Sequence, residues 1–551
     1  MKFPNFLLLL SLLVLDLSTS AQRPLRLVAR SNGNLIIFGS AQGGLAFNNG
    51  DTIGHYSNYQ NHFFLAEMDS SGLINWTKNI IGNVNGDISI CQDIFDNIYI
   101  AGGNYDTLRF DSINYLIGTS QNLFVAKFDS TGQFIWARQS TGSGGNYGNI
   151  DVAVDPQSNV YLSGNYSNDF TFGSLPPISN NSLIESLFIV KFDSFGNPQW
   201  LKSLNSGGAG QGSNNFMKSI AVDLHGNAYF TGYFGGTFGG PLHFGTLSVT
   251  ANGNGDLEIF LAKCDSSGNP IWLKKVEGMT GSDFSEKIIV DNYGNTYLTG
   301  FFYYGAKFGN LPAITANFQD IFTARFDSSG NAQWVRQGSQ NFSNYNNEGK
   351  GISFDQFGNI FTLGNFNDSI VYPPLTGISA SNGGGFILKQ DSTGIPFCVS
   401  NLPLTFYDIA IKDNFIFTVG ENYNYVEYQF QGFVTNKYVI SRWDNDCNHL
   451  WDSSITHITP IPWGVAENKN EIHFRIFPNP SSNIINIEIL DNIFQSGIIE
   501  IQDITGRPVF TQKIENVHHE IKLDLTENKK GVYILKITSK FGSASKKIIK
   551  T

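Results

Sequence analysis

The chain has 551 residues and a net charge of −11, and aromatic residues (14%) are almost as frequent as charged ones (15%). This acidic balance, without a basic cluster among the aromatics, argues against a nucleic-acid partner. Its 58 glycines and only 18 prolines fit a turn-rich β protein better than a disordered linker. Beyond the N-terminus no apolar run approaches the roughly 20 residues that span a bilayer, so we expect no membrane span.

Residues 1–21 have the pattern of a secretory signal peptide. Lys2 supplies the positive start, an apolar run extends from Phe6 to Leu15, and small residues precede a cleavage site near Ala21. Asp16 interrupts the run, which is too short for a membrane helix. We therefore predict an exported chain that begins at about residue 22.

Residues 22–458 contain a repeat. The pattern FLAKCDSSGNPIW, from Phe260 to Trp272, occurs seven times, and a second pattern, SIAVDLHGNAYFTGYF, alternates with it at the same period of about 63 residues. The first pattern always has Asp at its sixth position, namely Asp69, Asp129, Asp193, Asp265, Asp327, Asp391 and Asp444. The second places a marker glycine in each copy, at Gly39, Gly102, Gly164, Gly232, Gly300, Gly364 and Gly420.

Each repeat is predicted to form four short strands, because runs of apolar, β-branched and aromatic residues are bounded by Gly, Asn, Asp and Ser. The repeated Asp is interpreted as a turn residue and not as a calcium ligand, since the distal Glu of a calcium loop is absent. The fold class is therefore all-β: a seven-bladed β-propeller of four-stranded antiparallel blades, followed by a small C-terminal β-sandwich. Both ends of the ring look complete, so we expect no strand exchange between the termini and closure by face packing.

Four cysteines remain in the exported chain. Cys91 and Cys264 occupy strand positions and are interpreted as small core residues. Cys398 replaces the Trp that ends the other copies, and Cys447 replaces a turn glycine in the next copy. We predict a disulfide between Cys398 and Cys447, in an oxidising compartment. No spacing indicates zinc, and we predict neither metal nor cofactor.

After the repeat, residues 459–470 are predicted to be a linker, and residues 471–551 a separate domain. Its motifs are Phe477-Pro478-Asn479-Pro480, then Asp503 to Arg507 around Gly506, then Gly531-Val532-Tyr533, and finally Lys546-Lys547-Ile548-Ile549-Lys550. In this order they resemble the type A sorting domain of the type IX secretion system of Bacteroidetes. The resemblance implies a type IX outer-membrane translocon as partner, and delivery through the periplasm to the cell surface or the medium.

The repeat itself resembles bacterial propeller repeats of about 60 residues that read GNxYxxG and DSxGNxxW. This resemblance is architectural and implies no catalytic residues. The motifs GxSxG, HExxH and GxxxxGK[ST] are absent, and no carboxylate pair stands out, so no catalytic residue is assigned.

In a four-stranded antiparallel blade the first and third turns share one face, and the remaining connections share the other. Here the first kind are short and uniform, which predicts a plain rim, whereas the second kind are long and varied. We call the two surfaces the short-turn face and the long-connection face. The long connections carry Tyr56, Tyr59, Tyr147, Tyr303, Tyr304, Tyr345, Tyr423 and Tyr425.

These tyrosines are candidate ligand-binding residues, because rigid scaffolds carry function on their loops. The alternative for each is that it completes loop packing. The favoured hypothesis is a surface binding or adhesion module for a polysaccharide or surface protein. The alternatives are an extracellular polysaccharide hydrolase or lyase with carboxylates at the central channel, and a structural surface component.

Overall fold

The computed structural model describes residues 25–42, 44–46, 52–53, 61–82, 84–118, 122–142, 149–179, 185–206, 215–236, 240–252, 255–338, 347–421, 427–429, 432–459, 474–477, 481, 483–489, 496–503, 507–515, 520–539 and 542–550. These residues form 44 strands and no helix. The chain divides into two compact units, Met1–Pro460 and Ile461–Thr551.

The first unit contains seven four-stranded groups, which we number as blades 1 to 7 in chain order. Blades 1 to 3 contain β1 (Arg26–Ala29), β2 (Leu35–Gln42), β3 (Gly44–Ala46), β4 (Thr52–Ile53), β5 (Asn61–Met68), β6 (Ile74–Ile80), β7 (Val84–Gln92), β8 (Ile98–Asn104), β9 (Leu108–Arg109), β10 (Tyr115–Leu116), β11 (Asn122–Phe128), β12 (Phe134–Gly142), β13 (Asp151–Val154), β14 (Val160–Tyr166), β15 (Phe170–Phe172), β16 (Ser186–Phe192) and β17 (Pro198–Ser206). Blades 4 and 5 contain β18 (Phe216–Val222), β19 (Ala228–Gly235), β20 (Pro241–Phe244), β21 (Leu247–Thr250), β22 (Leu257–Cys264), β23 (Pro270–Lys275), β24 (Glu277–Thr280), β25 (Phe284–Val290), β26 (Thr296–Lys307), β27 (Ile314–Phe326) and β28 (Ala332–Gly338). Blades 6 and 7 contain β29 (Glu348–Phe354), β30 (Ile360–Ile370), β31 (Ile378–Gln390), β32 (Pro396–Leu402), β33 (Thr405–Lys412), β34 (Phe415–Glu421), β35 (Glu427–Gln429), β36 (Gly432–Trp443) and β37 (His449–Thr459).

Within each blade four strands pair antiparallel in chain order, from the ring centre outward. The orders are β1-β2-β5-β6, β7-β8-β11-β12, β13-β14-β16-β17, β18-β19-β22-β23, β25-β26-β27-β28, β29-β30-β31-β32 and β33-β34-β36-β37. The first strands of successive blades pack on one another, and β1 packs on β33. This arrangement confirms the all-β class and the propeller-type fold.

Short extra strands link neighbouring blades. An insertion after the second strand of one blade pairs with the outermost strand of the blade before it, as when β15 pairs with β12 and β20 with β17. At the ends of the ring, β3 of blade 1 pairs with β37 of blade 7, with Gly44 opposite Ile458. Among the described residues no C-terminal strand pairs in blade 1, as expected. Closure by face packing alone is wrong, however, because backbone pairing joins β3 to β37.

The repeated Asp organises the outer turn of every blade. In blade 4, Asp265 Oδ1 accepts hydrogen bonds from the backbone N–H groups of Ser267 and Asn269, both at 2.9 Å. Its Oδ2 accepts one from Asn269 Nδ2, also at 2.9 Å. Gly268 completes the turn with φ of +79°, which a glycine adopts without strain. The carboxylate is satisfied locally, which supports the turn interpretation.

A tryptophan clamp joins successive blades. Trp272 of blade 4 donates from Nε1 to the carbonyl of Ser328 in blade 5 at 3.1 Å, and its ring packs on the turn glycine Gly330. The same ring-on-glycine contact is made by Trp76 on Gly132, Trp136 on Gly196, Trp200 on Gly268 and Trp334 on Gly394. Trp451 of blade 7 packs on Gly72 of blade 1, so the clamp also crosses the closure.

Between blades 6 and 7 a disulfide replaces the clamp. Cys398 and Cys447 are bonded, with their Cα atoms 6.0 Å apart, at the two positions that hold Trp and Gly elsewhere. Cys447 keeps the glycine-like φ of +60°. Cys264 is buried and Cys91 is half-buried, and neither forms a disulfide.

The second unit is a sandwich of two antiparallel sheets. Its strands are β38 (Phe474–Phe477), β39 (Ile484–Ile489), β40 (Ser496–Asp503), β41 (Pro508–Glu515), β42 (Glu520–Asp524), β43 (Gly531–Ser539) and β44 (Gly542–Lys550). The sheet orders are β38-β39-β42 and β41-β40-β43-β44. Ile487, Ile501 and Leu535 lie in the core between them. The structure confirms the small C-terminal β-sandwich that the sequence predicts.

Candidate functional site

A cavity of about 410 Å³ lies at the ring centre, where the first strands of the blades begin. The links between blades arrive at this end, so the cavity opens on the long-connection face. Its lining is mostly polar and charged: Arg26, Asn149, Ile150, Asp151, Lys218, Glu286, Lys287, Glu348, Lys350, Asn365, Thr405, Tyr407 and Asp408. We call it the central cavity.

Four β-bulges present side chains to this cavity. In blade 4 the pairing passes from Met217 opposite Gly232 to Ser219 opposite Thr231, which leaves Lys218 as the extra residue. The bulges of blades 5, 6 and 7 are equivalent, and the extra residues there are Glu286, Lys350 and Tyr407. All four extra residues line the cavity.

The marker glycines make these bulges sterically possible. A Cβ at Gly232 would overlap the carbonyl oxygen of Phe216, on the bulged strand beside it. Gly300 and Gly364 meet the carbonyls of Phe284 and Glu348 in the same way. Glycine is therefore needed at these positions because the bulged backbone approaches its partner strand closely.

Alternating charges line one wall of the cavity. Glu286 lies 3.4 Å from the ammonium of Lys218 and 3.9 Å from that of Lys350, and Lys350 also pairs with Glu348 at 2.7 Å. Burial alone would raise the pKa of Glu286, but the two ammonium groups hold that pKa below its usual value. The wall thus carries fixed charges of both signs at neutral pH.

Asp151 joins several blades beneath this wall. It is buried, and its carboxylate oxygens accept hydrogen bonds from Lys287 Nζ at 2.9 Å, Ser89 Oγ at 2.6 Å and Ser219 Oγ at 2.8 Å. Burial would raise the pKa of Asp151, but Lys287 and the hydroxyl of Ser89 hold it below its usual value. With its oxygens used internally, Asp151 holds the inner strands together and leaves ligand binding to other groups.

Arg26 is the uncommitted cation of the cavity. Within the described part of the chain its guanidinium forms neither a hydrogen bond nor an ion pair. Its positive charge acts to lower the pKa of both Glu286 and Asp408. Asp408 accepts a hydrogen bond from the backbone N–H of Leu27 at 3.0 Å, and burial raises its pKa. Arg26 can therefore offer several donors to a ligand.

An aromatic ridge adjoins the cavity on the side of blades 4 and 5. It runs through Phe216, Tyr233, Phe284, Phe301, Tyr303, Phe318 and Tyr304, and successive ring centroids lie 4.8 to 6.2 Å apart. At its inner end the ammonium of Lys218 lies 5.7 Å from the ring centroid of Tyr233. At its outer end Tyr304 is 44% exposed and has a strained φ of +58°.

Of the eight candidate tyrosines, the structure places Tyr303 and Tyr304 in this ridge. The others lie outside the described residues: Tyr56, Tyr59, Tyr147, Tyr345, Tyr423 and Tyr425.

Sequence reasoning missed the charged residues of the central cavity. A signal existed, because Lys218, Glu286 and Lys350 each stand fourteen positions before a marker glycine.

Asp283 is buried next to the ridge and accepts a hydrogen bond from the backbone N–H of Tyr303 at 3.2 Å. Burial, reinforced by the carboxylates of Glu258 and Asp256, raises its pKa to about 8.

The folded state therefore keeps a proton that the unfolded chain releases near pH 4, and the stability contribution of Asp283 declines as pH rises from about 4 to about 8. We expect Asp283→Asn to raise the melting temperature at pH 8.5 by several degrees and to change it little at pH 4. Equal changes at both pH values, measured by calorimetry, would contradict this.

The short-turn face is not the plain rim that the sequence predicted. Four aromatic side chains at turn tips are largely exposed: Phe95 (67%), Phe195 (75%), Tyr293 (85%) and Phe357 (72%). The uniform turn backbone is present, but the residues at its tips vary. This face therefore also carries chemical diversity.

The described residues contain no group of three or more His, Cys, Asp or Glu side chains arranged to hold a metal ion. Among the same residues, no helix is long and apolar enough to cross a membrane.

In the C-terminal sandwich the predicted sorting residues take two kinds of position. Tyr533 is buried and donates to the carbonyl of Lys529 at 2.7 Å, while the buried ammonium of Lys550 donates to the carbonyls of Leu525, Thr526 and Asn528. Phe477, Lys546 and Lys547 are exposed, and Gly531 begins β43. Pro478, Asn479, Pro480 and Gly506 lie outside the described residues.

Comparison with known families decides the role of this unit. Residues 475–551 match the family described as secretion system C-terminal sorting domain. The protein is exported. The sorting domain directs it through the type IX secretion system to the outer surface or the extracellular medium, as its motifs indicated.

The ring has more distant likenesses. An uncharacterised WD repeat-containing protein of Acanthamoeba polyphaga mimivirus is 25% identical over 373 residues, which is 56% of this chain and 26% of that protein. The chain thus spans about a quarter of that relative's length. Among solved structures, BamB from Moraxella catarrhalis has a TM-score of 0.33 at 10% identity, covering 78% of this chain and 96% of that one. The GH43 endo-arabinanase from Bacillus licheniformis has a TM-score of 0.27 at 14% identity, covering 57% and 98%. At these scores the likeness carries no information about ligand or chemistry.

Proposed function

We propose that the exported propeller is a binding module for an extracellular polysaccharide, which it engages at the central cavity and the aromatic ridge. The observation that carries the proposal is the cavity itself, because fixed charges of both signs and the uncommitted Arg26 line it. Convergent polar groups in a preformed concave site are typical of ligand binding.

The polar cavity suits the hydroxyl groups of a sugar, and the aromatic ridge suits the apolar face of its ring. Hydroxyl groups can donate to Glu286 and accept from Lys350 or Arg26, as a carbohydrate edge requires. The faces of sugar rings can pack on exposed aromatic rings, and Tyr304 presents such a ring at the end of the ridge. Tyr304 lies at a β-bulge, where Thr280 of β24 pairs with both Tyr304 and Gly305, so its backbone position is set by strand pairing before a ligand binds and less entropy is lost on association.

A glycan array of neutral and acidic oligosaccharides, probed with the full chain, tests the proposal. We expect at least one class to bind, and Arg26→Gln and Tyr304→Asn each to weaken binding about tenfold or more, since tenfold corresponds to about 1.4 kcal/mol. Asn is chosen at position 304 because it tolerates positive φ. A stronger effect of Arg26→Gln on acidic than on neutral glycans would identify a carboxylate as its partner.

Tyr293→Asn is the matched control, because Tyr293 is 85% exposed on the opposite face. Binding should be unchanged in this variant. Full binding by both Arg26→Gln and Tyr304→Asn would rule out the cavity as the site, and an array without any bound glycan would rule out a polysaccharide ligand.

One observation favours hydrolysis as a second candidate. In the same cavity burial raises the pKa of Asp408, whereas Lys218 and Lys350 hold that of Glu286 below its usual value despite its burial. In glycosidases, carboxyl groups with pKa values pushed apart serve as general acid and base. Chromatography of glycans incubated with the protein separates the candidates: cleavage that Asp408→Asn abolishes without loss of binding would make the protein a hydrolase, and intact glycan would leave it a binding module.

A further inference from the structure

A second cavity lies on the short-turn face, between blades 2 and 3, and has a volume of about 570 Å³. The first turns of both blades and the outer turn of blade 3 form its rim. Phe95, Phe195 and Trp136 supply aromatic walls, and Asn97, Lys127 and Gln157 supply polar groups. We call it the blade 2–3 notch.

Phe195 departs from the repeat at this point. Its turn position is polar in the six other blades, where it is occupied by Ser71, Thr131, Ser267, Ser329, Thr393 and Asp446. The fold therefore does not need an aromatic residue there, and Phe195 is 75% exposed, so it adds little to packing. A large exposed apolar side chain that the architecture does not need points to contact with another molecule.

Arginine side chains hold the backbone of the two turns that carry Phe195 and Phe95. Arg138 of blade 2 donates to the carbonyl of Gly196 at 2.7 Å and to that of Phe195 at 3.0 Å, which fixes the outer turn of blade 3. Beside Phe95, Arg30 donates to the carbonyl of Asp96 at 3.5 Å. Because the turns are already ordered, a ligand that binds between them loses little affinity to loop ordering.

The polar groups of the notch suit hydroxyls better than charges. The exposed side-chain amide of Gln157 has no partner among the described residues and can both donate and accept. Asn97 and Ser158 donate to buried Asp93 at 2.8 and 2.9 Å, which orients them and leaves their oxygens able to accept. The ammonium of Lys127 is engaged by Asp93 at 4.0 Å and by the ring of Tyr99 at 5.0 Å from its centroid.

We infer that the blade 2–3 notch binds a neutral sugar ring, with Phe95 and Phe195 as apolar walls and Gln157 as the hydrogen-bonding side chain. This site is on the opposite face from the central cavity, so the inference does not depend on the proposed function. Two sites on opposite faces would let one molecule bridge two glycan chains, and such bivalent binding raises avidity.

The test uses the full chain on an array of neutral oligosaccharides, together with Phe195→Ser. This substitution gives the turn the sequence DSSGNP, which blade 4 already has from Asp265 to Pro270, so the blade is expected to fold. We expect a set of neutral glycans to bind the wild type and to lose about tenfold or more in affinity with Phe195→Ser and with Gln157→Ala.

Phe357→Ser is the control, since Phe357 is 72% exposed on the same face but does not line the notch. Arg26→Gln separates this site from the central cavity and should leave the notch ligands bound. The inference would be overturned if no neutral glycan lost affinity for Phe195→Ser while keeping its affinity for Arg26→Gln. So would an array on which the wild type binds no neutral glycan at millimolar concentration.

Discussion

Gly232→Ala is expected to destabilise the propeller by about 3 kcal/mol or more, because its Cβ would overlap the carbonyl oxygen of Phe216. The overlapping atoms of Phe216 belong to the backbone, so they cannot move aside as the end of a flexible side chain could. The bulge that presents Lys218 to the central cavity would have to shift, so ligand binding at the cavity should weaken together with stability. Urea unfolding followed by tryptophan fluorescence measures the first effect, and glycan titration measures the second.

Gly358→Ala is the control for this experiment. Gly358 has φ of +78° but nothing within 4 Å of a Cβ, so only the conformational cost of about 1 kcal/mol applies. If the two variants unfolded at the same urea concentration, steric overlap at Gly232 would not be the reason for its glycine.

Removal of the disulfide is the second large effect. In Cys398→Ala/Cys447→Ala, the unfolded chain regains the freedom of a loop that spans a sequence separation of 49, which corresponds to about 4 kcal/mol in the chain-entropy estimate. The boundary between blades 6 and 7 also loses its covalent link, and no tryptophan clamp exists there to replace it. We expect a clear fall in the melting temperature, and an equal fall when the wild type is reduced.

The repeat supplies a rescue variant. Cys398→Trp/Cys447→Gly restores the residue pair found at the six other boundaries, for example Trp272 on Gly330. We expect it to recover much of the lost stability and to make the melting temperature independent of reductant. If the Trp/Gly variant were no more stable than the Ala/Ala variant, then the clamp and the disulfide would not be equivalent devices, and the interpretation of this boundary would be wrong.

Much of the fold could be predicted because its determinants are local. Asp265 bonds to groups two and four residues ahead, so the turn is visible in any copy of the repeat. The strands, the sandwich and the sorting motifs likewise have signals within short stretches. The Cys398 and Cys447 positions were visible because both depart from the same repeat.

The site was predicted less well, because its residues are distant in sequence. Arg26 and Asp408 meet in the cavity only because the ring brings blades 1 and 7 together. The tyrosine composition of the long connections points to Tyr303 and Tyr304 but gives no sign of the aromatic ridge to which they belong. The marker glycines were recognised as a pattern, whereas their cause, the bulged strand, needed the pairing register.

The sequence by itself therefore determined the repeat, the all-β class and the export of this protein, because a turn, a strand and a sorting motif are each encoded within a few consecutive residues. Only the tertiary structure decided that the bulges converge on a charged cavity, that β3 closes the ring on β37, and that Phe95 and Phe195 face one notch. The physical reason is that the repeat encodes the strands and turns within each blade. The register of the strands and the packing of neighbouring blades determine which side chains come into contact between blades.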